Sequence, residues 1–130
     1  DKWQVKTGEY LVTPGVHAVA TPGHTAGHMS LLVEPGYGRR SGKGKDRGGT
    51  ANGMASPSAV ILCGDAADLG ENIADEIAPG YCWQDNEALA LASIRKLKSL
   101  AREENAELWP NHDMQFFLGL PYFPAGRGLE

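Results

Sequence analysis

The sequence is short of residues that cross-link a fold or span a membrane. Only two of its 130 residues are cysteine, Cys63 and Cys82, and they share no C-x-x-C spacing. That excludes a disulfide framework and a cysteine-rich zinc site. It also favours a reducing compartment, so the cytoplasm is the expected location. No stretch approaches the ~18 consecutive apolar residues of a membrane span, and no signal peptide is visible, so no membrane partner is expected. Positive charge is lacking as well: the formal net charge is −4. A nucleic-acid surface calls for a basic domain, so nucleic acid is not expected as a partner. Histidine is scarce, with His17, His24, His28 and His112 in all, and no two stand in an H-x-H arrangement. An initiator Met is missing too. Asp1 leads directly into strand-like sequence, as the interior of a domain would.

What is present suffices for one core. Hydrophobic residues make up 42% and charged residues 22%, the balance of a globular chain, and the length suits a single domain over 1–130. Tyr10 to Val12 reads as a short strand, Thr13-Pro14-Gly15 as a turn, and Val16 to Ala20 as the returning strand of a hairpin. Alternation puts Val16, Ala18 and Ala20 on one face, with His17 and Val19 on the other. Met29 to Glu34 contains the unbroken run Leu31-Leu32-Val33, the pattern of a strand buried on both faces. Ala59 to Cys63 repeats that pattern, with Cys63 as a small buried apolar residue.

Between these two strands, Gly36 to Ser58 holds seven of the 17 glycines. It also carries Arg39, Arg40, Lys43, Lys45 and Arg47 against Asp46 alone. Such a segment has too little apolar surface to offset its ordering entropy, and it reads as a flexible Gly-rich insertion. Glu71 to Ile77 reads as a short helix or turn, stopped by Pro79-Gly80. Asp85 is the expected N-cap of a long helix whose apolar stripe is Ala90, Ile94, Leu97, Leu100 and Ala101. Lys96, Lys98 and Arg102 fall toward its C-terminal end, where the helix dipole favours cations. Glu107 to Trp109 follows as a strand, and Phe116 to Tyr122 as a last helical turn. The order is β-β-β-loop-β-helix-β, an α/β (α+β) fold.

Three candidate ligands each fall just after a strand: His24, Asp65 and His112. Imidazole and carboxylate are the usual donors for zinc and its first-row neighbours. A neighbouring glycine lets the backbone turn sharply and bring such a donor into a shared cleft. Each residue alone also has an ordinary reading, as a packed histidine or a turn aspartate, and spacing alone leaves both readings open.

The surrounding motifs add a resemblance. Thr21-Pro22-Gly23-His24-Thr25-Ala26-Gly27-His28 resembles the TPGHTxGH motif of the metallo-β-lactamase superfamily. Cys63-Gly64-Asp65 is similar to its GD motif, and Pro110-Asn111-His112-Asp113 to its last metal-histidine segment. The stretch from Gly64 to Arg102, with Glu71-Asn72 leading into the long helix, is similar to the N-acyl homoserine lactonase branch. The resemblance covers nearly the whole chain outside the insertion. It implies the C-terminal half of an αββα sandwich and a divalent metal cofactor, with two zinc ions in the complete protein. His24 would bind the first ion, Asp65 would bridge the two as a catalytic residue, and His112 would bind the second. His28 would support the site from beside it, and Asp113 would orient His112.

The implied activity is hydrolysis of a small-molecule lactone or ester, with a metal-bound hydroxide opening the ring. Two departures stand against that pattern. The superfamily's H-x-H-x-D-H motif is absent. Asp68, a candidate catalytic residue, stands where many lactonases have a tyrosine that polarises the carbonyl. With three of the expected ligands, the isolated chain is expected to bind metal weakly or not at all. Its uncovered sheet face should drive oligomerisation or aggregation, with a homodimer as one form. The alternatives kept open are another ester, thioester or phosphoester hydrolase of the same fold, and a non-catalytic truncated product that packs against a partner.

Overall fold

The computed structural model describes residues 3–34 and 59–120. The insertion read over Gly36 to Ser58 lies outside the described residues, as does the end of the apolar tail at Tyr122. Five strands form one sheet whose spatial order is their chain order: β1 (Tyr10–Thr13), β2 (Val16–Ala20), β3 (Met29–Val33), β4 (Ala59–Leu62) and β5 (Ala106–Trp109). Successive strands from β1 to β4 pair antiparallel, whereas β4 and β5 are parallel. A parallel neighbour needs a crossover connection. The crossover carries α1 (Gly70–Ala74) and α2 (Glu87–Glu103), and α3 (Met114–Gly119) follows β5.

Register builds the core as rungs. Leu32 lies opposite both His17 and Ile61, and Ile61 opposite Leu108. The stripe of α2 covers this face: Ala90, Ile94 and Leu97 are buried, and Leu97 joins Val19, Leu32, Ile61 and Cys63 in one cluster. Leu100 and Ala101 pack against its edge. Cutting Leu97 to alanine would cost about 2–5 kcal/mol, since the site is closed on all sides. One buried residue of α2 breaks the apolar stripe. Ser93 Oγ donates to the Pro22 carbonyl at 2.6 Å, which ties the helix to the loop before His24.

The other face of the sheet differs from the expectation of burial on both sides. Along β3 and β4 burial alternates, with Ser30, Leu32, Ala59 and Ile61 inside. Leu31 pairs with Leu62 and Val33 with Val60 on the second face, and Leu62 is 39% exposed. The apolar run is continuous, yet among the described residues no helix covers that second face. In β2 the expected division by alternation is also incomplete, because Ala18 and Val19 are both buried.

The start of α2 is a second correction. Asn86 is the N-cap, accepting a hydrogen bond from the Leu89 amide at 3.0 Å. Asp85 closes the preceding 3₁₀ turn, Trp83–Asp85, with φ 54°. Gln84 and Asp85 both take left-handed backbone, which delays helix entry by one residue, and asparagine caps about as well as aspartate. Among the described residues, no helix is long and apolar enough to cross a membrane.

Candidate metal centre

The parallel pairing of β4 and β5 makes the loops after them meet. Hydrogen bonding continues past the strands: Cys63 N donates to Trp109 O at 3.0 Å, Asn111 N to Ala67 O at 3.0 Å, and His112 N to Asp68 O at 2.8 Å. The loop between β2 and β3 closes at the same end of the sheet, where Thr21 N donates to His28 O at 3.0 Å. The end of β2, the start of β3 and the ends of β4 and β5 therefore share one rim. Polar loops outside the carboxyl ends of parallel strands are where open α/β sheets bind ligands.

On that rim the three candidate ligands converge. His112 Nε2 is 3.2 Å from Asp65 Oδ1, and His24 Nε2 is 3.9 Å from Asp65 Oδ2. The two oxygens of one carboxylate thus face two different imidazoles. Asp68 joins them: one donor atom each from Asp65, Asp68 and His112 lie within 4.8 Å of one another. The Asn111 amide nitrogen donates to Asp65 Oδ1 at 2.7 Å. That hydrogen bond is the main cause holding the Asp65 pKa below the ordinary aspartate value; the His112 hydrogen bond and the charges of His24 and His112 add to it, while desolvation opposes.

His28 stands beside the group. Its Nδ1 shares a hydrogen bond with Thr21 Oγ1 at 2.9 Å. From there a buried chain runs through Ser30 Oγ, 2.8 Å from Thr21 Oγ1, to the Cys63 carbonyl at 2.8 Å. Burial pushes the His28 pKa down, against the opposing hydrogen bond to Thr21. The hydrogen bonds of Asp113, expected to orient His112, run to backbone amides. Its carboxylate oxygens accept from the Phe116 amide at 2.9 Å and from the Gly70 amide at 2.9 Å, so it caps α3 and pins the start of α1. Those bonds, Phe116 first, lower its pKa. His17, given no role, pairs with Glu34 at 3.4 Å. It lines a groove of about 560 Å³ between β1, β2 and α2 that contains none of the candidate ligands.

Two residues at the rim carry no mark in the sequence. Asn111 is legible only as the neighbour of a candidate ligand. Tyr81 stands edge-on to His24, ring centroids 5.5 Å apart, and comes from the loop between α1 and α2. Asn72, by contrast, is structural. It accepts from the Leu69 amide at 2.8 Å and donates to the Ile77 carbonyl at 3.0 Å, closing the turn that carries α1.

The donor set suits a divalent metal. Imidazole nitrogens and carboxylate oxygens sit on rigid strand ends, and Asp65 is kept ionised by a neutral donor. Nδ1 of His24 is buried without a hydrogen-bond partner among the described residues, so this imidazole is not satisfied by the rim alone.

No family profile matches the chain. It is 34% identical over 122 residues to an N-acyl homoserine lactonase from Bacillus cereus, an alignment covering 94% of this chain and 40% of the relative. An N-acyl homoserine lactonase from Bacillus thuringiensis is 32% identical over the same length and the same shares. The chain thus spans about 40% of the length of the curated relatives it matches. Among solved structures, it resembles an N-acyl homoserine lactone hydrolase with the product N-hexanoyl-L-homoserine bound at the catalytic metal centre. That likeness has a TM-score of 0.67 and 29% identity over 93% of this chain and 40% of that one. A probable metal-dependent hydrolase from Staphylococcus aureus shares the fold at a TM-score of 0.55 and 11% identity, over 82% of this chain and 30% of that one. The half-sandwich expected from the motifs is the fold observed.

Proposed function

We propose that the protein containing this chain is a metal-dependent hydrolase that opens the ring of a small-molecule lactone of the N-acyl homoserine type, and that the chain is the C-terminal half of its catalytic domain. The observation that carries this reading is the Asp65 carboxylate, whose two oxygens face the Nε2 atoms of His24 and His112. A carboxylate shared between two imidazoles suits two ions with a common bridge. In this reading His24, Asp65 and His112 would hold two zinc ions, with Asp65 shared between them, and the other ligands would come from outside these residues. The two cysteines are free and buried, which suits a reducing cytoplasm.

A bound divalent metal supplies Lewis acidity and a water whose pKa is lowered to about 7. The residues of this chain set the stage for that chemistry. Asn111 donates to the Asp65 carboxylate and favours its ionised form. The α2 helix, through Ser93 and Pro22, holds the loop that presents His24. Tyr81 stands edge-on to the His24 ring. No side-chain nucleophile is required: burial pushes the Cys63 thiol up to about 12, far from a reactive thiolate.

The test is hydrolysis of N-hexanoyl homoserine lactone by the full-length product of the gene, followed by proton release at fixed pH. Loss of at least a hundredfold in kcat/KM on Asp65→Asn and on His112→Ala supports the reading. Absent turnover by the zinc-loaded wild type, or turnover unchanged in both variants, sinks it.

A further inference from the structure

We infer that Asp68 is itself a metal ligand, so that Asp65, Asp68 and His112 hold one divalent cation with donors from this chain alone. The inference rests on the reading of the strand-end rim as a metal centre and adds a ligand to it.

Geometry comes first. One donor atom from each of the three residues lies within 4.8 Å of the others. Donors bound about 2.0–2.2 Å from a common ion stand at most about 4.4 Å apart. A small side-chain rotation closes the gap. The backbone already holds the donors in phase, because His112 N bonds to Asp68 O and Asn111 N to Ala67 O.

Electrostatics is the second, independent observation. The three aspartates at the rim are not equivalent. Asp65 is bonded by Asn111 and His112, and Asp113 is bonded by two amides. The half-buried Asp68 carboxylate has no hydrogen-bond or ion-pair partner among the described residues, yet it converges on the Asp65 carboxylate. Two carboxylates sharing a site repel unless a cation lies between them. Arg95, Lys96 and Lys98 of α2 are paired with Glu76 and Glu9, not with Asp68.

The donor set also defines the ion. Two carboxylates and one neutral imidazole match the charge of a divalent cation. With two oxygen donors and one nitrogen, the site is harder than a histidine-rich one, so it accepts Mn²⁺ as well as Zn²⁺. With Asp68 as a ligand, the isolated chain would bind a divalent ion, against the expectation of weak or absent binding.

The experiment is titration of the metal-stripped chain with Mn²⁺, reading free Mn²⁺ by electron paramagnetic resonance, with near-UV circular dichroism as the folding control. Asp68→Asn, Asp68→Glu, Asp65→Asn, His24→Ala and His17→Ala are titrated beside the wild type. Losing even an outer partner of a ligand costs about 10- to 100-fold in metal affinity, so loss of a ligand should cost at least that. The expected result is one Mn²⁺ per wild-type chain, binding at least tenfold weaker in Asp68→Asn and Asp65→Asn, partly restored in Asp68→Glu and unchanged in His17→Ala, whose imidazole pairs with Glu34 away from the rim.

Wild-type affinity in Asp68→Asn overturns the inference. So does a wild-type chain that takes up no Mn²⁺ at millimolar concentration. If Asp68→Asn is neutral while Asp65→Asn and His24→Ala both lose affinity, the inference fails and the proposed centre survives. If Asp68→Asn loses affinity while the full-length product is inert on lactones, the inference stands and the lactone reading falls.

Discussion

Nε2 of His28 lies only 2.8 Å from where a Cβ on Gly64 would stand. Gly64 also has φ +58°, the left-handed region that side chains rarely adopt. Both constraints meet at the residue that turns the chain from β4 toward Asp65. Gly64→Ala should therefore pay twice, for backbone strain and for displacing a ring that is tied to Thr21. The expected loss is about 1–3 kcal/mol, seen as a drop of several degrees in Tm. Gly23→Ala should cost more, because its Cβ would fall 2.6 Å from the Cα of Ala90, and helix backbone yields less readily than a ring. Thermal unfolding of the two variants checks this. A Gly64→Ala protein that melts with the wild type would show that His28 moves aside freely.

Asp113→Ala should destabilise the fold by about 0.5–2 kcal/mol, the usual cost of losing an N-cap. The Phe116 and Gly70 amides would both lose their acceptor. Asp113→Asn should retain part of the stability, since an amide oxygen still caps. Metal affinity at His112 should change little in either variant. Urea unfolding and metal titration measured side by side separate the two roles. A large loss of metal affinity with unchanged stability would restore Asp113 as the residue that orients His112.

Much of this rim was legible in the sequence because strand ends leave strong marks. Apolar runs stop at Ala20 and Cys63, a short strand ends at Trp109, and glycine or proline follows each with one potential ligand. Two kinds of feature were not legible. Asn111 and Tyr81 reach the site through tertiary geometry, the first by the parallel zipper of two loops and the second from a turn far along the chain. The N-cap of α2 was misplaced by one residue, since Asp85 and Asn86 are equally good caps and only the left-handed φ at Gln84 and Asp85 decides between them. Unbroken apolar runs in β3 and β4 marked a sheet suited to two covered faces, whereas the described chain covers one. Hydropathy records what a face is suited to, not which chain supplies its cover.

Glu76 gives the acid side of the stability profile. Its carboxylate pairs with Arg95 at 2.7 Å and Lys98 at 3.0 Å. Those two hydrogen bonds, Arg95 first, lower its pKa from 4.5. A carboxylate depressed on folding contributes stability that is fully present above its unfolded pKa and is lost as pH falls through the folded value. The difference in urea midpoint between wild type and Glu76→Gln should therefore be present at pH 7 and shrink progressively below about pH 4.5. High salt should shrink it at pH 7 too, because the pair is solvent-exposed. An equal difference at pH 7 and pH 3 would mean that Gln acts through the backbone, where residue 76 has φ 53°.

The second face of the sheet should make the chain associate with itself. Leu62 is 39% exposed and lies opposite Leu31 in register, next to the Val33 and Val60 pair. Fully burying one such side chain contributes about 1.5–3 kcal/mol. A few together can therefore hold two copies face to face, although lost rotational freedom offsets part of that gain. Sedimentation velocity across a wide concentration range should show a rising average mass for the wild type. Leu62→Thr places a β-branched strand former at the position while removing the apolar cap of the face, so it should shift association to higher concentration without lowering Tm by much. If the wild type stays monomeric throughout, the face is not adhesive. If Leu62→Thr associates as readily as the wild type, the contact lies elsewhere on the molecule.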